Sequence, residues 1–297
     1  MAKSAKARDS HSELGSVTLE PQTAAAPLPA RLSARPSLRM LAMSSRLEPA
    51  IEFAGVHYRF DGHRELIRNL TLQVVPGDTL MLLGRSGSGK TTTLKLINRL
   101  LAPSSGEIRV DGVPAMQWDP IKLRRHIGYA IQDVGLFPHY TVEQNVAVVP
   151  KLENWEASRI NKRVQEVMQL VGLPPEQFAQ RYPDQLSGGQ KQRVGLARAL
   201  AADPPTLLMD EPFGALDPIT RAEVQMEFKH LQQTLAKTVV FVTHDVGEAL
   251  LLGTHIALME DGALRGIYTP QEFLKAPDDF VKLYVDAFRA SQQTLQL

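Results

Sequence analysis

Eight consecutive residues, Gly84-Arg85-Ser86-Gly87-Ser88-Gly89-Lys90-Thr91, have the types and spacing to hold a triphosphate. The glycines let successive backbone N–H groups point inward at a dense cluster of negative charge, because no Cβ blocks the approach. A helix starting directly afterwards adds its positive N-terminal end. Lys90 then reaches the β- and γ-phosphates, and the Thr91 hydroxyl offers an oxygen to Mg²⁺. A second chemical group is Asp210-Glu211, two carboxylates closing the apolar run Thr206-Leu207-Leu208-Met209. At the carboxyl end of a strand beside a phosphate loop, Asp210 is placed to hold Mg²⁺ and Glu211 to orient or deprotonate an attacking water. A third is Leu186-Ser187-Gly188-Gly189-Gln190. Two glycines after a helix-capping serine make another backbone nest for anions. Two phosphate nests in one chain make sense when the second serves another molecule's nucleotide.

These groups need a scaffold, and the hydrophobic pattern supplies one. Residues 79–83 read as a buried strand entering the glycine-rich loop, and residues 92–101 as a helix leaving it, with Leu94, Ile97 and Leu101 on one face. Residues 51–53 and 70–74 alternate like half-buried strands, with a turn at Phe60-Asp61-Gly62 between them. Residues 107–110 form a further strand, Asp119 caps a short helix opened by Pro120, and 127–132 read as a strand. The texture then turns helical. Ile160, Val164, Val167, Met168 and Val171 recur at helical spacing until Pro174-Pro175, and Ser187 caps the next helix. Strands return at 206–209 and 238–242 and as a hairpin of 256–259 with 264–268, and a helix bearing Val224, Phe228, Leu231 and Leu235 separates the first two. The order is that of an α/β core at 51–290 interrupted by a helical insert at about 133–205.

Composition narrows the function classes. The 297 residues are 43% hydrophobic and 22% charged, ordinary for a globular chain. A net charge of +1 calls for no nucleic acid partner. No cysteine is present, which excludes disulfides, thiolate metal sites and a cysteine nucleophile. The histidines lack metal-cage spacing, and no apolar run reaches the 18 residues of a membrane-spanning helix, so the chain encodes no pore of that kind. Residues 1–50 are rich in Ala, Ser, Pro and Arg, carry seven basic against four acidic residues and show no period; they read as a disordered extension, with Met40 or Met43 as alternative starts of translation.

In the order of these motifs the chain resembles the ATPase subunits of ABC systems, in which the Leu186–Gln190 run is the family signature. The resemblance covers residues 51–290 and implies an α/β fold: a P-loop NTPase of the ABC type, its nucleotide-binding domain built with an antiparallel β subdomain and the helical insert, followed by a tail at 291–297. It implies ATP and Mg²⁺ as ligands, and two subunits, identical or paralogous, that sandwich two ATP molecules head to tail. ATP would be held by Gly84, Arg85, Ser86, Gly87, Ser88, Gly89, Lys90, Thr91 and Thr92 of one subunit against Ser187, Gly188, Gly189 and Gln190 of the other. By the same resemblance Gln132 is the glutamine that touches Mg²⁺ or water, alongside Thr91 and Asp210. Asp217 in Ala215-Leu216-Asp217-Pro218 belongs to the D-loop, and His244 in Thr243-His244-Asp245 is the switch histidine at the γ-phosphate. The adenine-stacking aromatic aligns with Phe60, with Tyr58 as the alternative. Gly247 stands where an acidic residue is often found.

Several stretches, among them Ile127-Gly128-Tyr129-Ala130-Ile131-Gln132, Gly135-Leu136-Phe137-Pro138-His139-Tyr140-Thr141-Val142 and Asp217-Pro218-Ile219-Thr220-Arg221, are similar to importers of osmoprotectants such as glycine betaine, choline and related quaternary amines. Amino-acid and sulfonate importers share many of these motifs and form the alternative. The resemblance implies a transmembrane permease as partner, a periplasmic or extracellular solute-binding protein acting indirectly, and a peripheral position on the cytoplasmic face of the inner or plasma membrane. Phe137, Pro138 and Tyr140 are apolar for a loop; they either meet the permease or pack under their own insert. Many members carry C-terminal regulatory domains, where this sequence leads one to expect a short helix at 280–290. A soluble ABC protein acting on ribosomes or DNA usually has two ATPase units or a coiled-coil insert, and neither is present. A P-loop kinase has no use for the signature. An exporter subunit fits the 135–142 motif less well.

Overall fold

Alternating burial draws Ile51–Phe60 (β1) and Arg64–Val74 (β2) into an antiparallel hairpin, turned by Asp61 and Gly62 at positive φ. Both strands run further than the alternation predicts. Register shifts between Phe53 and Tyr58, with Gly55 and Asn69 at positive φ, interrupt the period of two and hide the strands' middle portions. The structure is a computed structural model that describes residues 48–132 and 134–294; the extension expected at 1–50 lies outside the described residues as far as Leu47.

Thr79–Leu83 (β3) leads into Lys90–Ile97 (α1), then Ser105–Val110 (β4), Val113–Pro114 (β5), Pro120–His126 (α2) and Ile127–Ala130 (β6). Five helices follow: Val142–Val146 (α3), Val148–Leu152 (α4), Ala157–Leu170 (α5), Pro175–Phe178 (α6) and Gly188–Leu200 (α7). The chain closes with Thr206–Asp210 (β7), Pro218–Leu235 (α8), Thr238–Thr243 (β8), Val246–Leu252 (α9), His255–Glu260 (β9), Ala263–Tyr268 (β10), Pro270–Lys275 (α10) and Asp279–Thr294 (α11).

Two sheets result. One is antiparallel in the order β2-β1-β4-β5; the other runs β10-β9-β3-β8-β7-β6, parallel except for the edge strand β10. Strands β3, β7 and β8 are buried throughout, as parallel strands covered on both faces must be, and so read as unbroken apolar runs. Side chains alternate across the large sheet. Leu80, Leu82, Leu208 and Val240 face α1 and the antiparallel sheet, while Met81, Leu83, Met209 and Phe241 join the helices of the other face.

Three helices differ from the sequence reading in where they begin or end. Helix α1 starts at Lys90 and stops at Ile97, short of the predicted residue 101. There Asn98 Oδ1 accepts from Leu100 N at 3.2 Å, Lys95 O accepts from Leu100 and Leu101, and Arg99 takes a positive φ normally left to glycine. Helix α5 is ended by Gly172 at φ 68, with Leu173 N donating to Met168 O, before Pro174-Pro175 is reached. Helix α11 extends beyond the predicted 280–290 on both sides. Asp119 caps α2 as predicted, accepting from Ile121 N and Lys122 N.

Candidate functional site

Three neighbouring parallel strands deliver the chemistry to one edge. Leu83 pairs with Thr243 and Asp210 with Val242, so β3, β7 and β8 end together and present Gly84, Glu211 and His244 at the same rim. The loop after β3 depends on its glycines. A Cβ on Gly84 would lie 2.4 Å from the Met259 carbonyl oxygen and 2.7 Å from Ser88 Oγ. Gly89, at φ 97, turns the chain into α1 with Ile67 Cδ1 only 2.7 Å from where a Cβ would stand. Gly84→Ala is therefore expected to cost about 1–3 kcal/mol through overpacking against backbone. Thermal melting reads this directly, and an unshifted melting temperature would contradict the contact.

Inside the loop, Lys90 is buried and donates from Nζ to Gly84 O at 2.7 Å and to Arg85 O at 2.9 Å. Burial holds its ammonium below the usual lysine range, against the pull of Glu211 and Asp210. Ser88 Oγ is buried with no hydrogen-bond partner. An orphaned buried hydroxyl and a desolvated ammonium in one glycine-rich loop fit a phosphate, whose oxygens satisfy both. Arg85, Ser86 and Gly87 are exposed, Gly89, Thr91 and Thr92 partly so.

Thr91 ties the loop to β7, its hydroxyl donating to Asp210 Oδ1 at 2.8 Å. The Tyr129 hydroxyl lies 3.5 Å from Asp210 Oδ2. Burial pushes the Asp210 carboxyl up, the Thr91 hydrogen bond draws it back, and Glu211 pushes it further up. A buried carboxylate beside a threonine hydroxyl fits Mg²⁺, which takes one or two carboxylates and completes its shell with phosphate oxygens and water. Gln132 is exposed two residues past β6, and no hydrogen bond among the described residues joins it directly to Thr91 or Asp210.

Glu211 stands at φ 44, a left-handed conformation unusual for a side chain of this kind. Backbone bonds from Glu211 N to Val242 O and from Gly214 N to Glu211 O, both 3.1 Å, keep it there. Its Oε2 is 3.2 Å from His244 Nδ1, and the histidine ring is 63% exposed. The carboxylate has a histidine on one side and reaches solvent, the position a proton acceptor for water requires.

The signature turn and the D-loop form a second cluster. Ser187 caps α7 reciprocally with Gln190: its hydroxyl accepts from Gln190 N at 3.3 Å, and Gln190 Oε1 accepts from Ser187 N at 3.0 Å. Ser187 and Gly188 are exposed, whereas Gly189 is packed so closely on α8 that a Cβ would meet Thr220 Cγ2 at 2.4 Å. Asp217 caps α8 and accepts from Thr220 N at 3.1 Å, and bonding to Thr220 holds its carboxyl below the usual range. No hydrogen bond among the described residues joins this cluster to the Gly84–Thr91 loop.

Of the aromatic candidates, Phe60 ends β1 with 53% of its surface exposed, while Tyr58 is half-buried against the core. Phe137 and Tyr140 are 41% and 37% exposed. Asn145 fixes their loop: Oδ1 accepts from Phe137 N, and Nδ2 donates to the carbonyls of Phe137, Tyr140 and Thr141. Sequence reasoning missed Tyr129, which no local pattern marks. It also missed Glu248, a buried carboxylate that accepts from Thr243 Oγ1 at 2.5 Å and Gln225 Nε2 at 2.9 Å, one turn after His244.

The pattern of the ABC transporter family matches residues 67–214. The choline transport ATP-binding protein OpuBA of Bacillus subtilis (strain 168) is 49% identical over 236 residues, 79% of this chain and 62% of that protein. The chain thus spans about three fifths of the length of the first curated relatives it matches. The glycine betaine uptake system ATP-binding protein YehX of Escherichia coli (strain K12) is 50% identical over 235 residues, 79% of this chain and 76% of that protein. Among solved structures, the dimeric post-hydrolysis state of the ATP-binding cassette MJ0796, bound to ADP and Pi, superposes with a TM-score of 0.66 at 33% identity, covering 74% of this chain and 98% of that one.

Proposed function

The chain belongs to the ABC transporter family, and from that premise we propose that it is the ATP-hydrolysing subunit of an importer for quaternary amine osmoprotectants such as glycine betaine or choline. The observation that carries the ATPase reading is the meeting of Lys90, the Thr91–Asp210 pair and the Glu211–His244 pair at one sheet edge. The substrate class rests on relatives named for choline and glycine betaine transport.

In this reading the loop amides of residues 84–91 and Lys90 hold the β- and γ-phosphates, and Phe60 stacks on adenine. Thr91, Asp210 and Gln132 would hold Mg²⁺, which neutralises charge on the phosphate oxygens when bound. Glu211 takes a proton from water as the water oxygen bonds to the γ-phosphorus. The bond from that phosphorus to the bridging oxygen breaks, and the electron pair leaves with ADP. His244 orients Glu211 and the γ-phosphate. Ser187, Gly188, Gly189 and Gln190 lie apart from the Gly84–Thr91 loop of their own chain, which suits a second copy arranged head to tail. Asp217 then sits at the seam between copies.

Among the described residues no helix is long and apolar enough to cross a membrane, so the work is passed to another chain. A groove of about 720 Å³ between α3–α4 and α5–α6, lined by Glu143, Lys151, Val164, Met168 and Gln180, opens on the insert. With the exposed Phe137 and Tyr140 it offers a seat for a permease's cytoplasmic segment at the membrane's inner face. Affinity purification of the tagged chain from gently solubilised native membranes tests this. A polytopic membrane protein at near-equal amount is the expected result. Ribosomal or DNA-repair proteins without any membrane partner would overturn transport.

A further inference from the structure

Glu248 of α9 is a buried carboxylate that the reaction scheme above leaves unused. Its partners are two neutral groups on two other elements. Thr243, the last residue of β8, donates its hydroxyl to Oε2 at 2.5 Å, and Gln225 of α8 donates Nε2 to Oε1 at 2.9 Å. The same Thr243 oxygen accepts from Asp245 N at 2.9 Å. Asp245 in turn caps α9, its Oδ1 accepting from Gly247 N at 2.6 Å and from Glu248 N at 3.2 Å. The cap is tight: a Cβ on Gly247 would stand 3.0 Å from that oxygen. These bonds close around Thr243-His244-Asp245, and the His244 side chain stays outside them. Its Nδ1 lies 3.2 Å from Glu211 Oε2, with most of the ring in solvent. An exposed ring has no packed walls to fix it, so its place beside Glu211 is set by the backbone it hangs from.

We propose that Glu248 is a positioning residue for hydrolysis: its two oxygens brace the Thr243 hydroxyl against Gln225 and so hold His244 at Glu211. A threonine hydroxyl turns freely until its proton is claimed. With that proton given to Glu248, a lone pair is left facing Asp245 N, which pins the peptide joining His244 to Asp245. Burial pushes the Glu248 carboxyl above its usual range, so the group is a costly way to fill space. Packing alone would be served by an apolar side chain of similar volume. The kinetic part of the inference rests on the ATPase reading above.

The test uses the full chain. Glu248→Leu keeps the volume and loses both bonds, and it is expected to lower kcat about tenfold or more while KM for MgATP stays within about threefold. Glu248→Gln can keep both bonds, its Oε1 accepting from Thr243 and its Nε2 facing a turned Gln225 amide, and is expected to stay within about threefold of the wild-type kcat. In a His244→Ala background the effect of Glu248→Leu shrinks at least about fivefold, because it acts through the ring that is gone. A kcat unchanged in Glu248→Leu, or losses that simply multiply, would overturn the proposal. The ¹⁵N signals of the His244 ring, assigned by their loss in His244→Ala, give a reading independent of turnover. They move in Glu248→Leu and return in Glu248→Gln if the brace holds; wild-type positions in Glu248→Leu sink it. Should melting curves show Glu248→Leu unfolded, Thr243→Val, which removes the hydroxyl and keeps the shape, is read in the same way. A wild-type chain without turnover would remove the ATPase reading, and the ring signals would still decide the brace.

Discussion

Glu211→Gln is expected to keep ATP bound and to reduce turnover by roughly 10²–10⁴-fold, the range lost when a positioned general base is removed. Glutamine has the size of the residue it replaces and still reaches His244, which lies 3.2 Å from the carboxylate oxygen. What it cannot do is accept a proton from water. The binding elements, Lys90 and the Thr91–Asp210 pair, lie on other strands and loops and are left intact. Calorimetric binding of MgATP beside a phosphate-release assay separates the two effects. Near-normal hydrolysis would remove Glu211 from its assigned role. Lost binding would show that the substitution had disturbed the turn after β7 rather than the chemistry.

Lys90→Met has the opposite profile. The ammonium is buried and bonded to two loop carbonyls, and burial depresses its pKa. For a base held below its unfolded value, the folded state binds its proton less willingly than the unfolded chain. The resulting penalty is fully present at neutral pH and is relieved only as pH rises through the lowered value. Methionine removes the charge at similar length. The melting temperature of the nucleotide-free protein is therefore expected to hold or rise. Affinity for ATP is expected to fall by roughly ten- to a hundredfold, equivalent to one charged hydrogen bond of about 1.5–3 kcal/mol. Unchanged affinity would place the terminal phosphates elsewhere; a fall in both quantities would identify Lys90 as a structural group.

How much of this was legible in the sequence depends on whether the constraint is local. The Gly84–Thr91 loop could be read because its fixed positions, Gly84, Gly89, Lys90 and Thr91, stand within eight consecutive residues. Asp210-Glu211 could be read because β7 is an apolar run that ends abruptly in charge. The Ser187 cap and the Asp119 cap are local rules that the backbone obeys. The bulged middle of β1 and β2 escaped because the shifts at Gly55 and Asn69 scramble the alternation that marks a strand. The end of α1 escaped because Arg99, an ordinary helix former, adopts the left-handed turn there. Gln132 was placed by resemblance alone. Contacts such as Thr91 to Asp210, 119 residues apart, or Arg198 to Val134, 64 apart, leave no periodic trace in either stretch.

The left-handed backbone at Glu211 has a bearing on how such chains decay. A non-glycine residue in this conformation is disfavoured by on the order of 1–2 kcal/mol, and glycine or asparagine accept it with little strain. Stability alone would therefore favour glycine or asparagine here, and only the proton-accepting role proposed for Glu211 would favour glutamate. In a copy relieved of that role, Glu211→Gly or Glu211→Asn would release the strain of the φ 44 backbone.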